Sequence, residues 1–261
     1  MSENGAYSQS LERGLAILSS FRSGRPLLGV SELGREIGLS RSTTHRYVAT
    51  LAALGYLQQD SSTKKYRLGP RVLDLGFSAI NSMELREVAA PHLRQLSDDT
   101  GYTVNMAILD ELDIVYVERC RSGRAAQREI DLNLHVGARL PAFCTSLGKV
   151  LLAYLPADEQ AMRLEQIDFT RRGPNTLTSR TALIAELKRV RESGFAINNE
   201  ELAYGLRSIA APVLLHDGAA AAAINLAVHS SMVSMNDLVA RLSPTLRRAA
   251  NEISAHLGYR P

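Results

Sequence analysis

Residues 30–54 read VSELGREIGLSRSTTHRYVATLAAL, and this stretch decides the fold of the first third of the chain. Leu33 and Ile37 lie four residues apart, as on the apolar face of a helix, and a second apolar stripe begins at Val48. Gly38 lies between the two stripes and supplies the left-handed residue that commonly ends a helix. The stretch therefore predicts two short helices joined by a tight turn.

The second of these helices is expected to expose short hydroxyls and cations in its first turns. Such groups suit the base edges and phosphates of the DNA major groove, and a recognition helix contacts bases with its N-terminal end. A helix hairpin with glycine in its turn also occurs in all-α proteins that bind no nucleic acid. The choice between these two interpretations therefore depends on the neighbouring residues. The residues expected to face DNA are Arg41, Ser42, Thr43, Thr44, His45 and Arg46.

A short basic hairpin follows the second helix. Residues 56–59 and 65–68 alternate about a turn-rich tetrapeptide, which is the pattern of two strands joined by a turn. Between Arg41 and Arg71 the chain has six Lys or Arg and a single acid, Asp60. The helices and the hairpin together predict a winged helix-turn-helix that binds double-stranded DNA. The wing residues expected to contact DNA are Lys64, Lys65 and Arg67.

The charge of the chain is divided unevenly between its two parts. Of 30 basic and 27 acidic side chains, residues 1–75 hold ten and six, which leaves twenty and twenty-one for the remainder. The basic excess therefore belongs to the predicted DNA-binding part, and the rest need not attract a polyanion. A length of 261 residues is enough for one or two domains, each with its own core.

Composition argues against several classes of protein. The two cysteines, Cys120 and Cys144, form no Cys-x-x-Cys motif, so we expect no structural zinc, no other metal or cofactor, and reduced thiols in a cytoplasmic protein. The longest alanine-rich run, residues 218–224, is far too short to cross a bilayer, so no membrane partner is expected. Residues 1–8 are polar and predict a disordered tail rather than a targeting segment.

The remaining chain predicts an α+β domain with a mostly antiparallel sheet, because hairpins alternate with helices. Ser10 is expected to precede the first helix of the chain, and Pro91 to be the first residue of a helix in the second domain. Strands are predicted at 103–109, 113–118, 208–215 and 220–228. The predicted organisation is a winged helix-turn-helix at 9–70, a linker helix at 71–84 and an effector domain at 85–258.

A candidate anion site begins at Cys144. The residues after it are small and open a helix, so the free N–H groups and the positive end of that helix are available to a carboxylate. The hydroxyls of Thr145 and Ser146 would add further donors. Ordinary helix capping explains the same residues, and these residues alone leave both interpretations open.

The chain resembles the isocitrate-lyase-regulator (IclR) family of bacterial transcription factors over essentially its full length. The matching stretches occur together and in order, at residues 10–18, 39–54, 66–69, 137–153 and 205–213. The resemblance implies a winged helix-turn-helix joined by a linker helix to a GAF-like effector domain. It also implies that the protein works as a homodimer or a dimer of dimers.

A narrower resemblance concerns residues 132–146, which are similar to the branch that controls aromatic-acid catabolism through the β-ketoadipate pathway (the PcaR, PcaU and PobR type). It implies a small carboxylate effector, such as an aromatic acid or β-ketoadipate. Arg128 and Arg139 could pair with a second carboxylate, or could be surface arginines. Beside Thr145, the effector contacts implied by the family are Ser146, Leu147, Asn198, Leu206, Ser208, Asn225 and Ala227.

Departures from the founding member of the family favour a less hydrophilic effector. Asn198 stands where an acid is expected, and Asn225 and Ala227 replace two serines. Leu206, Ile224 and Leu226 are candidates for apolar walls. Strand alternation should nevertheless turn Ile224 and Leu226 away from the site if Asn225 faces it.

Two other classes of function compete with an effector-controlled regulator. Cys144 with a histidine could act as a nucleophile and base in a GAF-like enzyme, but it lacks the local signature of a thiol enzyme. The family resemblance also implies binding proteins, so we expect no catalytic residues. A DNA-binding protein without a ligand is the third possibility.

Overall fold

The computed structural model describes residues 7–22, 24–81, 83–121 and 134–260, without the side chains at 77 and 79–81. Most of the predicted disordered tail, Arg128 and the start of the 132–146 match lie outside the described residues. The chain divides into two compact units, residues 1–82 and 83–261. Within the described ranges, no helix is both long and apolar enough to cross a membrane.

The N-terminal unit is the predicted winged helix-turn-helix. A small core joins its helices to the base of the wing, where Leu57 pairs with Leu68 across the hairpin. The fully buried members of this core include Ile17, Leu33 and Val48. Its elements are α1 (Gln9–Ser19), α2 (Val30–Ile37), α3 (Arg41–Ala53), β1 (Leu57–Gln59), β2 (Tyr66–Leu68) and α4 (Arg71–Asn81).

The turn between α2 and α3 contains the left-handed glycine that the sequence predicts, followed by a serine cap. Gly38 has φ of 68°, the left-handed conformation that ends a helix. Ser40 caps α3 by accepting a hydrogen bond from the Thr43 N–H at 3.2 Å. The start predicted for α1 was wrong by two residues, because Ser8 rather than Ser10 caps that helix.

The C-terminal unit is built on an antiparallel sheet with the strand order β5-β4-β3-β8-β7-β6. β3 and β8 are neighbours in the middle of the sheet although more than a hundred residues separate them in the chain. The strands are β3 (Thr103–Asp110), β4 (Asp113–Cys120), β5 (Arg139–Pro141), β6 (Ala196–Asn199), β7 (Leu206–Leu214) and β8 (Ala220–His229). The helices are α5 (Glu84–Thr100), α6 (Ser146–Ala153), α7 (Ala157–Gln166), α8 (Arg180–Ser193), α9 (Met235–Asp237) and α10 (Ser243–His256), with a 3₁₀ turn at Ala142–Cys144 and a π turn at Leu238–Leu242.

Helices cover both faces of this sheet, and strand alternation assigns each side chain to one of them. Met106, Ile209 and Ile224 belong to the layer packed with α5 and α10, which we call the α5 face. Ala107 and Ala210 belong to the layer packed with α6 and α8, which we call the α6 face. Small residues on the α6 face leave room for α6, which is buried along its whole length.

Pro91 does not begin a helix, as the sequence suggests, but lies inside α5. The apolar stripe of this helix extends upstream to Leu85 and Val88, which pack on the same core as Leu93. Packing of that stripe outweighs the local cost of a proline that removes one backbone hydrogen bond. A π turn at Leu238–Leu242 lies just before α10, and Pro244 is in the first turn of that helix.

Candidate functional site

The exposed face of α3 is a basic and hydroxyl-rich surface. Arg41, Ser42, His45 and Arg46 are exposed, whereas Val48 on the opposite side is fully buried. Among the described residues no carboxylate pairs with either arginine. Thr43 is half-buried and receives a hydrogen bond from the Ser40 hydroxyl at 2.9 Å. The surface can therefore offer two cations and several donors to a polyanion.

Thr44 is not part of this surface, so its predicted exposure is wrong. Its side chain is 0% exposed, and its hydroxyl donates to the Ser40 carbonyl at 2.9 Å. A Cβ placed on Gly34 would lie 2.9 Å from the same hydroxyl oxygen. Thr44 therefore packs against α2 and sets the contact between the two helices, because no larger side chain fits at Gly34.

The wing turn is held by one carboxylate. Asp60 accepts hydrogen bonds from the backbone N–H and the hydroxyl of both Ser62 and Thr63, at 2.6 to 3.2 Å. These hydrogen bonds, led by the Ser62 hydroxyl, hold the pKa of Asp60 well below its usual range. The turn is therefore ordered by its own side chains, and the next residue, Lys64, takes a positive φ of 58°.

The three predicted wing cations differ in what they contact. Lys64 is exposed. The Lys65 ammonium lies 3.2 Å from the Glu32 carboxylate on α2 and ties the wing to the helices. Arg67 donates to the Gln58 side chain on the facing strand at 3.2 Å. Lys64 is thus the most available to a ligand, whereas the other two already bond within the unit.

The buried N-terminus of α6 lies in the C-terminal unit. Thr145 caps this helix, because its hydroxyl accepts from the Gly148 N–H at 3.0 Å and donates to the Ala142 carbonyl at 3.3 Å. The capping interpretation therefore holds for the Thr145 side chain, which is not a free donor. The N–H groups of Ser146 and Leu147 in the first turn have no intrahelical acceptor and remain available to an anion.

The sheet brings a second set of polar groups to the α6 face. The hydroxyls of Ser146 and Ser208 lie 2.7 Å apart, and both side chains are buried. Asn198 is committed within the protein, since its amide donates to the Cys144 carbonyl at 2.9 Å and its oxygen accepts from the Glu201 N–H at 3.0 Å. Ser146 and Ser208 can thus meet a ligand directly, whereas Asn198 positions the chain before α6.

The sequence did not indicate that two further polar residues, Asn105 and Arg119, would lie near Asn225. Asn105 lies opposite Asn225 in the sheet and donates to its oxygen at 2.8 Å, and Arg119 donates to the Asn105 oxygen at 3.0 Å. A lone asparagine in the apolar strand 103–109 was the available signal for Asn105. The pairing itself could not be read, because it depends on a register between strands 120 residues apart.

Strand alternation sorts the candidate apolar walls as expected. Ile224 and Leu226 pack on the α5 face and do not line the site, so Asn225 and Ala227 share the α6 face. Leu206, at the start of β7, is half-buried. The large apolar side chains of the α6 layer include Tyr116, Phe143 and Leu147.

A buried ion network lies behind the α6 N-terminus. Lys149 is 1% exposed, and its ammonium lies 2.6 Å from Glu201 and 3.0 Å from Glu186. Glu186 also pairs with Arg189 at 2.8 Å. Burial raises the pKa of Glu201 despite the nearby lysine. The network joins α6, α8 and the segment that follows β6.

Neither Cys144 nor Arg139 contributes a reactive or binding group here. Cys144 is fully buried, and burial raises the pKa of its thiol to about 12, so it is no thiolate nucleophile at neutral pH. Arg139 is exposed and pairs with Asp110 at 2.6 Å and with Asp113 at 3.4 Å. Of the two possibilities considered for Arg139, the structure therefore favours a surface arginine.

Comparisons with known proteins cover both units. A family model described as IclR helix-turn-helix domain matches residues 10–61. A second, described as Bacterial transcriptional regulator IclR C-terminal, matches residues 77–255. The HTH-type transcriptional regulator XynR of Escherichia coli (strain K12) is 36% identical over 96% of this chain and 98% of its own length. The Pca regulon regulatory protein of Pseudomonas putida is 35% identical over 96% of this chain and 84% of its own length.

Solved structures show the same arrangement of elements. A transcriptional regulator from Rhodococcus sp. RHA1 is 38% identical, with a TM-score of 0.82 over 97% of this chain and 99% of its own. An IclR homolog from Microbacterium hydrocarbonoxydans, complexed with 4-hydroxybenzoate, is 26% identical, with a TM-score of 0.81 over 96% of this chain and 99% of its own. The winged helix-turn-helix and the antiparallel α+β domain are thus the fold of a known class of regulators.

Proposed function

Because this chain belongs to the IclR family of bacterial transcriptional regulators, we propose that it binds an operator beside catabolic genes and that a small carboxylate controls this binding. The family comprises DNA-binding transcription factors, so the chain is a regulator and not an enzyme. We propose a cytoplasmic location, because the operator DNA of a bacterium lies in the cytoplasm. The exposed cations Arg41, Arg46 and Lys64 supply the proposed contacts to DNA, together with Ser42, His45 and the remaining wing residues.

The observation that carries the effector proposal is the buried N-terminus of α6 facing Ser208. Two backbone N–H groups, at Ser146 and Leu147, converge there with the hydroxyl pair of Ser146 and Ser208. A carboxylate is the ligand that satisfies such a set of donors. Leu206 and Ala227 would bound the space beside it, and Asn198 would position the backbone that leads into α6.

An aromatic acid is the effector class that we favour, with β-ketoadipate as its aliphatic counterpart. The Pseudomonas putida relative is named for the Pca regulon, and the Microbacterium relative is complexed with 4-hydroxybenzoate. In this chain, Tyr116, Phe143 and Leu147 belong to the apolar layer on the same face of the sheet as the donors. That layer suits a ring more than it suits a small, fully hydrated oxoacid.

We further propose that the protein acts as a homodimer or a dimer of dimers on a roughly palindromic operator. In α4, Leu73 is 60% exposed and Leu75 is 57% exposed. Large apolar side chains that adjoin a DNA-binding unit are explained when a second copy covers them. A dimer would present two α3 helices to two half-sites.

The test combines operator binding with calorimetry on the full chain. A panel of aromatic acids and β-ketoadipate is expected to yield a binder that changes operator affinity, with coupling on the usual scale of ~1–3 kcal/mol. Ser146→Phe should abolish the response to ligand and leave ligand-free operator binding near normal. Ser231→Phe, at an exposed serine of the same unit, is the matched control.

Two outcomes would contradict this proposal. Binding of none of these acids to the wild type would remove the effector class. Unchanged ligand binding in Ser146→Phe would remove the site, since a phenyl group at that position must displace any ligand from the α6 N-terminus.

A further inference from the structure

We propose that the effector site has a second polar end at Thr103, which recognises an oxygen substituent remote from the carboxylate of the ligand. This inference rests on the proposed function and deepens it. It concerns the residues that choose between carboxylates, rather than those that hold the carboxylate itself.

Thr103 is the first observation. Its side chain is 1% exposed, and its hydroxyl has no hydrogen-bond partner among the described residues. The other buried threonines of the described chain, Thr44, Thr145 and Thr176, all form hydrogen bonds. A buried hydroxyl without a partner is costly and uncommon, so a ligand atom is the natural partner for Thr103.

The sheet register places this hydroxyl within the proposed site. Thr103 is paired with Ala227 on β8, and Ala227 is paired with Ser208 on β7, so the three lie in one row across the sheet. Their neighbours in sequence, Val104 and Leu226, pack on the α5 face, which puts the row on the α6 face. Ala227, which lies between the two hydroxyl-bearing residues, has only a methyl side chain.

The spacing of this row suits an aromatic acid. Thr103 and Ser208 are two strands apart, so their backbones lie about 10 Å from each other in the direction perpendicular to the strands. A benzene ring that carries a carboxylate and a para hydroxyl covers this span when a hydrogen bond is added at each end. The carboxylate would then lie at Ser146 and Ser208, and the hydroxyl at Thr103.

The polarity of Asn225 is fixed by its neighbours. The Arg119 guanidinium can only donate, so Asn105 turns its oxygen to Arg119 and its amide to Asn225. Asn225 therefore accepts with its oxygen, and its own amide donates to no described residue. Asn225 is 4% exposed and lies on the α6 face of β8, the strand between those of Thr103 and Ser208, so its amide can donate to the middle of a ligand that spans the row.

The experiment measures a preference within matched pairs of acids. Calorimetry on the full chain compares 4-hydroxybenzoate with benzoate and β-ketoadipate with adipate, since each pair differs only in the oxygen remote from one carboxylate. The wild type is expected to prefer the oxygenated member of at least one pair by about tenfold. Thr103→Val should bring this ratio close to one, whereas Thr103→Ser, which keeps the hydroxyl, should retain it.

Stability and a second variant serve as controls. Because the Thr103 hydroxyl has no partner, Thr103→Val should unfold at the same temperature as the wild type or higher when no ligand is present. Thr245→Val, on α10, should leave the preference unchanged. A general structural effect of Thr103 would weaken both members of a pair equally and leave the ratio intact.

The outcomes separate the inference from the function on which it rests. Equal binding of both members of each pair by the wild type, or an unchanged preference in Thr103→Val, overturns the second polar end and leaves the regulator intact. Binding of no member of either pair overturns the proposed effector class, and the inference falls with it.

Discussion

Adjacent side chains of α3 have opposite roles, and the face of the helix decides which. Thr44 is buried against Gly34 and bonded to the Ser40 carbonyl, whereas Arg41 and His45 project into solvent. A polar residue type does not by itself mark a DNA contact. In this helix, the arginines without a carboxylate partner are the residues left to meet phosphate or base edges.

Arg41→Ala and Arg46→Ala should each weaken operator binding. If the removed side chain contacts a phosphate, the slope of log K against log salt should flatten by about one contact, or ~0.9. Fluorescence anisotropy over a salt series measures both quantities. Arg241→Ala, at an exposed arginine of the C-terminal unit, is the control. An unchanged affinity in the double variant Arg41→Ala, Arg46→Ala would contradict the assignment of α3.

Single residues of the turn were predictable from the sequence, and single residues of the site were less so. Gly38 acts through its own backbone, so local pattern suffices. Thr103 and Arg119 matter because of strands that meet only in the folded sheet. Their roles follow from register, which a single sequence does not state.

Among the elements, α6 is unusual because every one of its residues is buried, including Lys149. A Cβ on Gly148 would overlap the Ala142 carbonyl, so the 3₁₀ turn packs directly on the helix backbone. The lysine is tolerated because Glu201 and Glu186 neutralise it. The helix end at which we propose that the effector binds is therefore fixed by packing on one side and by charge on the other.

Lys149→Met should destabilise the C-terminal unit by about 3–5 kcal/mol at neutral pH, because it leaves the buried Glu201 carboxylate without its cation, whereas Glu186 keeps Arg189. Urea unfolding followed by circular dichroism measures this free energy. Lys188→Met, at an exposed lysine of α8, should have little effect. The double variant Lys149→Met, Glu201→Gln should recover part of the loss. A loss below about 1 kcal/mol in the single variant would show that the ion network is not needed.

The loss in Lys149→Met should also shrink as the pH falls. Burial raises the pKa of Glu201, and without the lysine nothing nearby on α6 opposes that effect. A carboxyl whose pKa is raised in the folded state favours folding at low pH, and this contribution is lost as the pH rises through the folded-state pKa. The difference from wild type should therefore be smaller at about pH 5 than at pH 7. If the difference in unfolding free energy between Lys149→Met and the wild type did not change with pH, the loss could not be assigned to the Glu201 carboxylate.

The elements themselves were largely predictable, since helices and hairpins follow periodicity and turn residues. α5 shows where this fails, because Pro91 is a strong local signal for a helix start and yet lies within the helix. The stripe of Leu85, Val88 and Leu93 prevails because tertiary packing outweighs a local preference. Buried Lys149 was missed for a similar reason, since its two partners come from distant segments.

Taken as a whole, the molecule divides its chemistry between its two units. The N-terminal unit carries the basic excess and the exposed face of α3, whereas the C-terminal unit carries a buried polar site. The family resemblance allowed this division to be expected from the sequence. Two features could not be expected from the sequence, because they depend on the register of the sheet. They are the row formed by Thr103, Ala227 and Ser208, and the hydrogen bonds that join Arg119 to Asn105 and Asn105 to Asn225.

Light scattering at micromolar concentration should give at least twice the mass of one chain, as a dimer requires. Leu73→Glu with Leu75→Glu should lower that mass, because charges on the exposed face of α4 oppose its burial against a second copy. Met162→Glu, at an exposed methionine of α7, is the control. A single-chain mass for the wild type would contradict the assembly, and an unchanged mass in the double variant would place the contact elsewhere.

The alternation of β8 has a consequence for how new specificities evolve. Asn225 and Ala227 lie on the α6 face, at the proposed site, while Ile224 and Leu226 belong to the core on the α5 face. If the proposed site is right, mutations at residues 225 and 227 change the ligand that binds there without disturbing the core on the α5 face. Diversification among paralogues should therefore concentrate on every second codon of this strand, with the intervening codons held by selection for stability.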